Sequence, residues 1–191
     1  MIKKQIFYLL ILMITLSTGC SRYYYSNEPD DENLVEVSFK EVDNLLINLK
    51  QPLPTGSLVV INSLVNVDDL SQTFSFGRII SDQISSAFHR AGYRVMGMEL
   101  PTEIFAKGDA GILHLSAKTK EALNNIAAKS LVIGSFAPGK RNVYISLRIV
   151  DIASQNIIAT TDFSVPMGPD AKILLTPKKI DIEQKPETSI N

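Results

Sequence analysis

The sequence has one cysteine, Cys20, no tryptophan and two histidines in 191 residues. A single cysteine excludes an intramolecular disulfide and a multi-cysteine metal site. The histidines, His89 and His114, are far apart, and no carboxylate spacing around either suggests a metal, so both read as structural or exposed rather than catalytic. Charge is equally spare. Lysine and arginine total 19 against 20 acids, and no basic cluster suits nucleic acid or an anionic membrane surface. Apolar runs stop short of the roughly 20 residues that a bilayer crossing needs. No internal repeat of solenoid length is visible. Catalytic motifs are missing as well: there is no Ser-x-Gly elbow, no His-Glu-x-x-His and no pair of buried carboxylates. These absences argue against an enzyme and imply no cofactor, no metal, no small-molecule substrate and no nucleic acid.

One near miss is instructive. Gly134-Ser135-Phe136-Ala137-Pro138-Gly139-Lys140-Arg141 has the glycine and lysine spacing of a phosphate loop, but Arg141 cannot supply the hydroxyl that holds magnesium. That loop must also open a helix whose amides face the phosphate. A β-alternating run follows instead, so residues 137–141 predict a hairpin turn.

What is present begins with an address. Lys3 and Lys4 precede an apolar stretch over residues 6–16, too short to span a bilayer, which ends in Leu16-Ser17-Thr18-Gly19-Cys20. This arrangement resembles a bacterial lipoprotein signal, in which a small residue precedes the cysteine that is acylated and becomes the new N-terminus. Ser17 departs from the large aliphatic residue usual three positions before that cysteine. Residues 1–19 therefore read as a signal peptide and Cys20 as the lipidation site. With the leader removed, 17 basic residues face 20 acidic ones, a net charge of −3. Residues 20–36 read as a lipidated N-terminus and tether. Serine, asparagine, Pro29 and four acids dominate residues 21–33, which cannot bury enough surface to fold and reach roughly 20 Å. Tyr23, Tyr24 and Tyr25 suit a plain spacer, a docking contact with a partner or a lipid interface.

A single folded domain is expected over residues 37–166. Ser38 and Glu41 have the spacing of a capping box with Val37 and Val42 as its staple, which predicts a helix opening at Ser38. Its buried stripe is Phe39, Val42, Leu45, Leu46 and Leu49, and Pro52 and Pro54 close it. Leu58-Val59-Val60-Ile61 reads as a central strand covered on both faces. Asp68 and Asp69 read as helix-start residues. Phe76, Ile79, Ile80, Ile84, Ala87, Phe88 and Ala91 then follow helical spacing. Arg78, Ser81, Asp82, Ser85, His89 and Arg90 are placed on the outer face, with Arg78 and Asp82 as a solvated pair. Gly92 is expected to stop this helix in a left-handed conformation before a strand from Tyr93. Residues 112–115 predict a short edge strand. Ser116 is the expected N-cap of a third helix running to Lys129, with Ala122, Leu123, Ile126 and Ala127 inward. Leu131-Val132-Ile133 and the alternating runs 142–150 and 157–165 predict a half-buried meander. The buried positions are Val143, Ile145, Leu147 and Ile149, then Ile157, Ala159, Thr161, Phe163 and Val165. The expected fold class is α/β (α+β): one domain with a mixed sheet and a C-terminal antiparallel meander, packed by about three helices. Residues 167–191, rich in proline and charge, read as a tail with an apolar island at Ile173-Leu174-Leu175.

Several of these segments carry a resemblance. Val59-Val60-Ile61-Asn62-Ser63-Leu64-Val65-Asn66, Phe76-Gly77-Arg78, Ala91-Gly92-Tyr93-Arg94-Val95, Leu131-Val132-Ile133-Gly134-Ser135-Phe136 and Leu147-Arg148-Ile149-Val150-Asp151 resemble the FlgO-type outer-membrane lipoproteins of bacterial flagellar systems. The last two segments also look like parts of the CsgG and TolB amino-terminal domains. The resemblance implies a non-catalytic, periplasm-facing lipoprotein held in the outer membrane by its lipid. It would support flagellar assembly and motility through protein partners, at the basal body or its outer-membrane ring. The alternative is an envelope adaptor or assembly lipoprotein of a secretion or surface-fibre system. Ser21 after the cysteine is similar to the class exported to the outer membrane, since aspartate there commonly signals inner-membrane retention.

Overall fold

The computed structural model describes residues 29–70, 72–98, 105–107 and 113–177. The leader, Cys20, Ser21, the tyrosines and the last residues of the tail lie outside them. Among the described residues there are four helices, a six-stranded mixed sheet and a two-stranded ribbon.

Helix α1 (Leu34–Ile47) opens earlier than the Ser38 motif predicts. Asn33 is its cap, with Oδ1 accepting from the Val35 and Glu36 amides at 3.2 and 3.3 Å. Ser38 and Glu41 instead lie a full turn inside the helix on its buried face. Their hydroxyl and carboxylate reach other elements: Ser38 Oγ donates to Gln83 Oε1 at 2.9 Å, and Glu41 Oε2 accepts from Thr161 Oγ1 at 2.6 Å. Val42 and Leu45 are fully buried beside them, and Phe39, Leu46 and Leu49 pack at the margin.

Strands β1 (Leu58–Asn62) and β2 (Val65–Asn66) precede helix α2 (Ser75–Arg90), and β3 (Arg94–Met98) follows it. β1 pairs in parallel with β3 and with β6 (Ser130–Pro138). All five of its residues are buried, as an unbroken apolar run predicts for a strand covered on both faces. α2 starts at Ser75, well after Asp68 and Asp69, and its N-cap Phe74 contributes no side-chain bond. Ile79 lies nearer solvent than its helical spacing implies, and Ser81, expected outside, is buried. The reason is the Leu64 turn beneath the helix: Ser81 Oγ accepts from the Leu64 amide at 2.9 Å and donates to the Gly77 carbonyl at 2.8 Å. The pair joining α1 to α2 is Arg90 with Asp43 at 3.3 Å, with the Arg90 guanidinium 4.2 Å above the Phe39 ring.

Gly92 ends α2 as its sequence position predicts, at φ +89°. The Gly92 amide bonds the His89 carbonyl and the Tyr93 amide bonds that of Phe88, the two bonds of a Schellman cap. The same pair of bonds closes α3 (Ala117–Asn125), from Ala127 to Asn124 and from Ala128 to Leu123. Here the left-handed residue is Ala127, at φ +55°. α3 therefore stops short of Lys129, and Ala122 and Ala127 face solvent while Thr119 and Leu123 point inward. Ser116 is its cap, with Oγ accepting from the Thr119 amide at 3.2 Å. The edge strand predicted before it is β5 (Leu113–Leu115), which pairs not with the main sheet but with β4 (Phe105–Lys107).

β6, β7 (Asn142–Asp151) and β8 (Ile157–Pro166) form the antiparallel meander. The main sheet runs β3-β1-β6-β7-β8, with β2 beside the far end of β6. Val143, Ile145, Leu147 and Ile149 are buried under α1 and α2, together with Phe76, Phe88 and Phe136. Each fully buried side chain of that size contributes about 1.5–3 kcal/mol. β8 departs from simple alternation. A bulge at Ile158 advances the phase by one residue, so Ile158 and Ala159 are both buried and Ile157 is exposed. A second, smaller core on the opposite face gathers Leu58, Val60, Leu131, Val150 and Ile152 under Leu115, Leu123 and Ala128.

The segment past 166 is not all tail. Met167 and Ala171 join the main core, and α4 (Pro169–Leu174) carries the apolar island, with Leu174 and Leu175 half-buried and Ile173 exposed. The folded unit thus extends past residues 37 and 166 at both ends, because Asn33 caps α1 and the core still has room for Ala171.

Candidate functional site

The proposed lipidation site, Cys20, lies outside the described residues. The described residues form two grooves, one on the meander and one where the two ends of the domain meet. Among the described residues no three histidine, cysteine or acidic side chains converge to hold a metal ion, and no helix is long and apolar enough to cross a membrane. His89 sits exposed on α2, and His114 lies in β5. Residues 139–141 form the hairpin turn between β6 and β7, where the Gly139 amide bonds the Asn142 carbonyl at 2.8 Å. The turn leads into a strand, so no helix N-terminus backs the lysine as a phosphate site requires.

Among the described residues, two titratable groups are clearly perturbed, and both hold structure. Burial raises the Tyr93 hydroxyl above its ordinary range, and that hydroxyl donates to the Leu53 carbonyl at 3.0 Å, fastening the 52–54 loop. Burial alone would raise Asp151, but hydrogen bonds from the Ser154 amide and hydroxyl, both 2.8 Å, and the Lys129 ammonium at 3.4 Å hold it below its usual value. These contacts fix the turn from β7 to β8.

One groove lies on the meander face turned away from α1 and α2. Alternation that buries Val143, Ile145 and Leu147 on one side exposes Tyr144, Ser146 and Arg148 on the other. Cross-strand register sets Ser135 beside Ser146 and Asp162, and Ala137 beside Tyr144 and Ser164. With Val67 they line a shallow groove of about 420 Å³. Its lining holds no histidine or lysine, so its serines have no general base beyond the Asp162 carboxylate. Tyr144, 57% exposed, gives the face an amphipathic ring of the kind enriched at protein interfaces. The tyrosine was legible from alternation alone; its grouping with Val67 and Asp162 was not, because strand order creates it.

A second groove, of about 410 Å³, lies where the two ends of the domain meet. Asp31, Asn33, Val35, Asp170, Ile173 and Leu174 are among its lining residues.

No curated protein matches the sequence. Among solved structures, the LpoB C-terminal domain from Escherichia coli is similar with a TM-score of 0.50 at 12% identity, over 70% of this chain and 98% of that one. The LpoB C-terminal domain from Salmonella enterica gives 0.49 at 14% identity over the same shares of the two chains. Lipoprotein GNA1162 from Neisseria meningitidis gives 0.40 at 14% identity, over 60% of this chain and 83% of that one. At such identities the E. coli likeness is one of fold. The FlgO protein family model matches residues 40–170, from inside α1 to the first turn of α4. That span contains every strand of the sheet and every buried core residue except Ala171, and the chain belongs to the FlgO family.

Proposed function

We propose that this chain is a non-catalytic lipoprotein of the outer membrane, held there by acyl chains on Cys20 and facing the periplasm. In this reading it supports flagellar assembly and motility through protein partners, at the basal body or its outer-membrane ring. The observation that carries the reading is the family match across residues 40–170. A surface-lined domain with a serine-rich groove and no general base beyond Asp162 supports a binding role over a chemical one. The anchor has a simple energetic basis. Each buried methylene contributes about 0.8 kcal/mol, and one acyl chain alone binds only reversibly, so two or three chains on one residue give stable attachment without a spanning helix.

The adaptor reading, for a secretion or surface-fibre system, draws on the likeness to the LpoB domain, since a fold found under another name does not by itself select the flagellum. Deletion of the gene separates the two. The flagellar reading expects reduced spreading in soft agar and altered basal bodies by electron microscopy, restored by the wild-type chain and not by Cys20→Ala. Normal swimming with normal basal bodies would refute it. Labelling with a palmitate analogue, followed by density separation of the membranes, tests the anchor separately. Absence of label on the wild type, or label confined to the inner membrane, would refute that part.

A further inference from the structure

The N-terminal segment does more than enter the fold. Both Asp31 carboxylate oxygens accept from the backbone of α4, at 3.1 and 3.0 Å from the Asp170 amide, and Oδ1 accepts from the Ala171 amide at 3.3 Å. α4 lacks a cap of its own, because its N-cap is Gly168, which has no side chain to offer. A Cβ at Gly168 would stand in the space that the Asp31 carboxylate fills. The end of the tether segment thus supplies the cap of the last helix, across most of the chain. Two residues on, Asn33 caps α1. Asp31 and Asn33 hang the two helices on one short strand of backbone.

α4 depends on this contact. A helix of six residues is far below the length that is stable alone, so docking and capping must hold it. Its docking is thin. Ala171 is the one helix residue that is buried, and Ile173 is 66% exposed. On the other side, Asp31 is the described carboxylate nearest in sequence to Cys20 that the structure ties to another element. A pull arriving from the N-terminal side therefore meets the Asp31 contact before it meets the Asn33 cap, and meets both before the sheet.

We propose that Asp31 is a releasable strap, coupling the N-terminal tether to the docking of α4. While residues 31–33 lie along the groove, α4 is capped and packed. When the tether is drawn away, the Asp31 contact opens first, α4 loses its cap, and residues 169–177 come off the core, uncovering Ala171, Leu174 and Leu175. Coupling runs both ways, so a partner that captured this segment would free the tether by the same equilibrium. This goes beyond the proposed function. The strap itself rests only on the geometry, and its use in the cell rests on the Cys20 anchor.

Hydrogen exchange on the full chain tests the coupling. In Asp31→Ala, the amides of residues 170–175 are expected to exchange roughly 3- to 30-fold faster, the range that loss of a helix cap produces in a local opening equilibrium. The amides of β6 and β7 should be unchanged, and Asp31→Asn, also a good cap, should restore most of the protection. Unchanged exchange in α4, or an equal rise throughout the sheet, would overturn the strap. Force is tested on the chain from Cys20 onward, unacylated, with one handle on the Cys20 thiol and another on a cysteine at the exposed Tyr144. The wild type should show a small reversible extension below the force that unfolds the sheet, and Asp31→Ala should lack it. A single rupture identical in both would overturn the strap. Neither experiment uses the lipid, so the palmitate label can fail while the strap stands, and the reverse.

Discussion

Gly77→Ala sets two physical effects against each other, and the sign of the result decides which one rules α2. Helix propensity favours the change, since alanine exceeds glycine by about 1 kcal/mol inside a helix. Packing opposes it. A Cβ at Gly77 would run into the Leu64 carbonyl oxygen and come within 3.0 Å of both Phe136 Cε1 and Thr73 Oγ1. The carbonyl is not free to move. It accepts from Thr73 Oγ1 at 2.6 Å, and the Leu64 amide donates to Ser81 Oγ at 2.9 Å. Relief therefore requires α2 to lift from the turn, which loosens Phe76 against Phe136, whose ring centroids lie 5.4 Å apart. Overpacking of this kind costs about 1–3 kcal/mol, and a broken hydrogen bond adds about 1 kcal/mol. After the propensity gain the net is a loss of about 2 kcal/mol, or a fall in Tm of about 4–8 °C for a domain of this size. Thermal melts followed by circular dichroism, with urea titrations for ΔG, measure it. An unchanged or higher Tm would mean that propensity wins and that the close approach of α2 to Leu64 has been read wrongly.

Ala127→Gly should raise stability, by up to about 1 kcal/mol, because a left-handed backbone costs a non-glycine residue about 1–2 kcal/mol and glycine's extra freedom when unfolded returns part of it. Gly92→Ala, in the matching position after α2, should lower it; equal shifts in urea midpoint for the two would refute the cap assignment. Asp151→Asn should cost about 1–2 kcal/mol at neutral pH, where the Ser154 hydrogen bonds and Lys129 favour the charged form. Because the folded carboxyl titrates below its unfolded value of 3.8, its contribution is present above that value and is lost as pH falls through the depressed one. The gap between wild type and variant should therefore narrow as pH falls below about 4, and a gap that stays constant down to acid unfolding would contradict it.

Some of the fold was written locally. A continuous apolar run predicted β1 as a strand covered on both faces, and strict alternation placed Val143, Ile145, Leu147 and Ile149 inward on β7, because period and burial are coupled residue by residue. Gly92 marked the end of α2 because only glycine takes the left-handed turn without cost. The end of α3 was not legible, since Ala127 adopts the same turn without the residue that would announce it. Ser38 and Glu41 show the reverse error. They have the spacing of a cap, but whether a serine caps or is buried depends on where the helix begins, and Asn33 begins it earlier.

The surface was decided by the tertiary structure. Tyr144 could be placed on an open face from sequence, but the groove it shares with Val67 and Asp162 exists only because β8 returns beside β7 and β2 lies beside β6. Ile157 left the core because a bulge at Ile158 shifted the phase of β8, and nothing in an alternating run records an inserted residue. Asp31 looked like one acid in a polar tether, and α4 like part of a tail. Neither segment alone buries enough to fold, and no local pattern links a carboxylate to amides at the other end of the chain. The core brings them together by taking in Ala171, and Gly168 leaves the space that Asp31 fills.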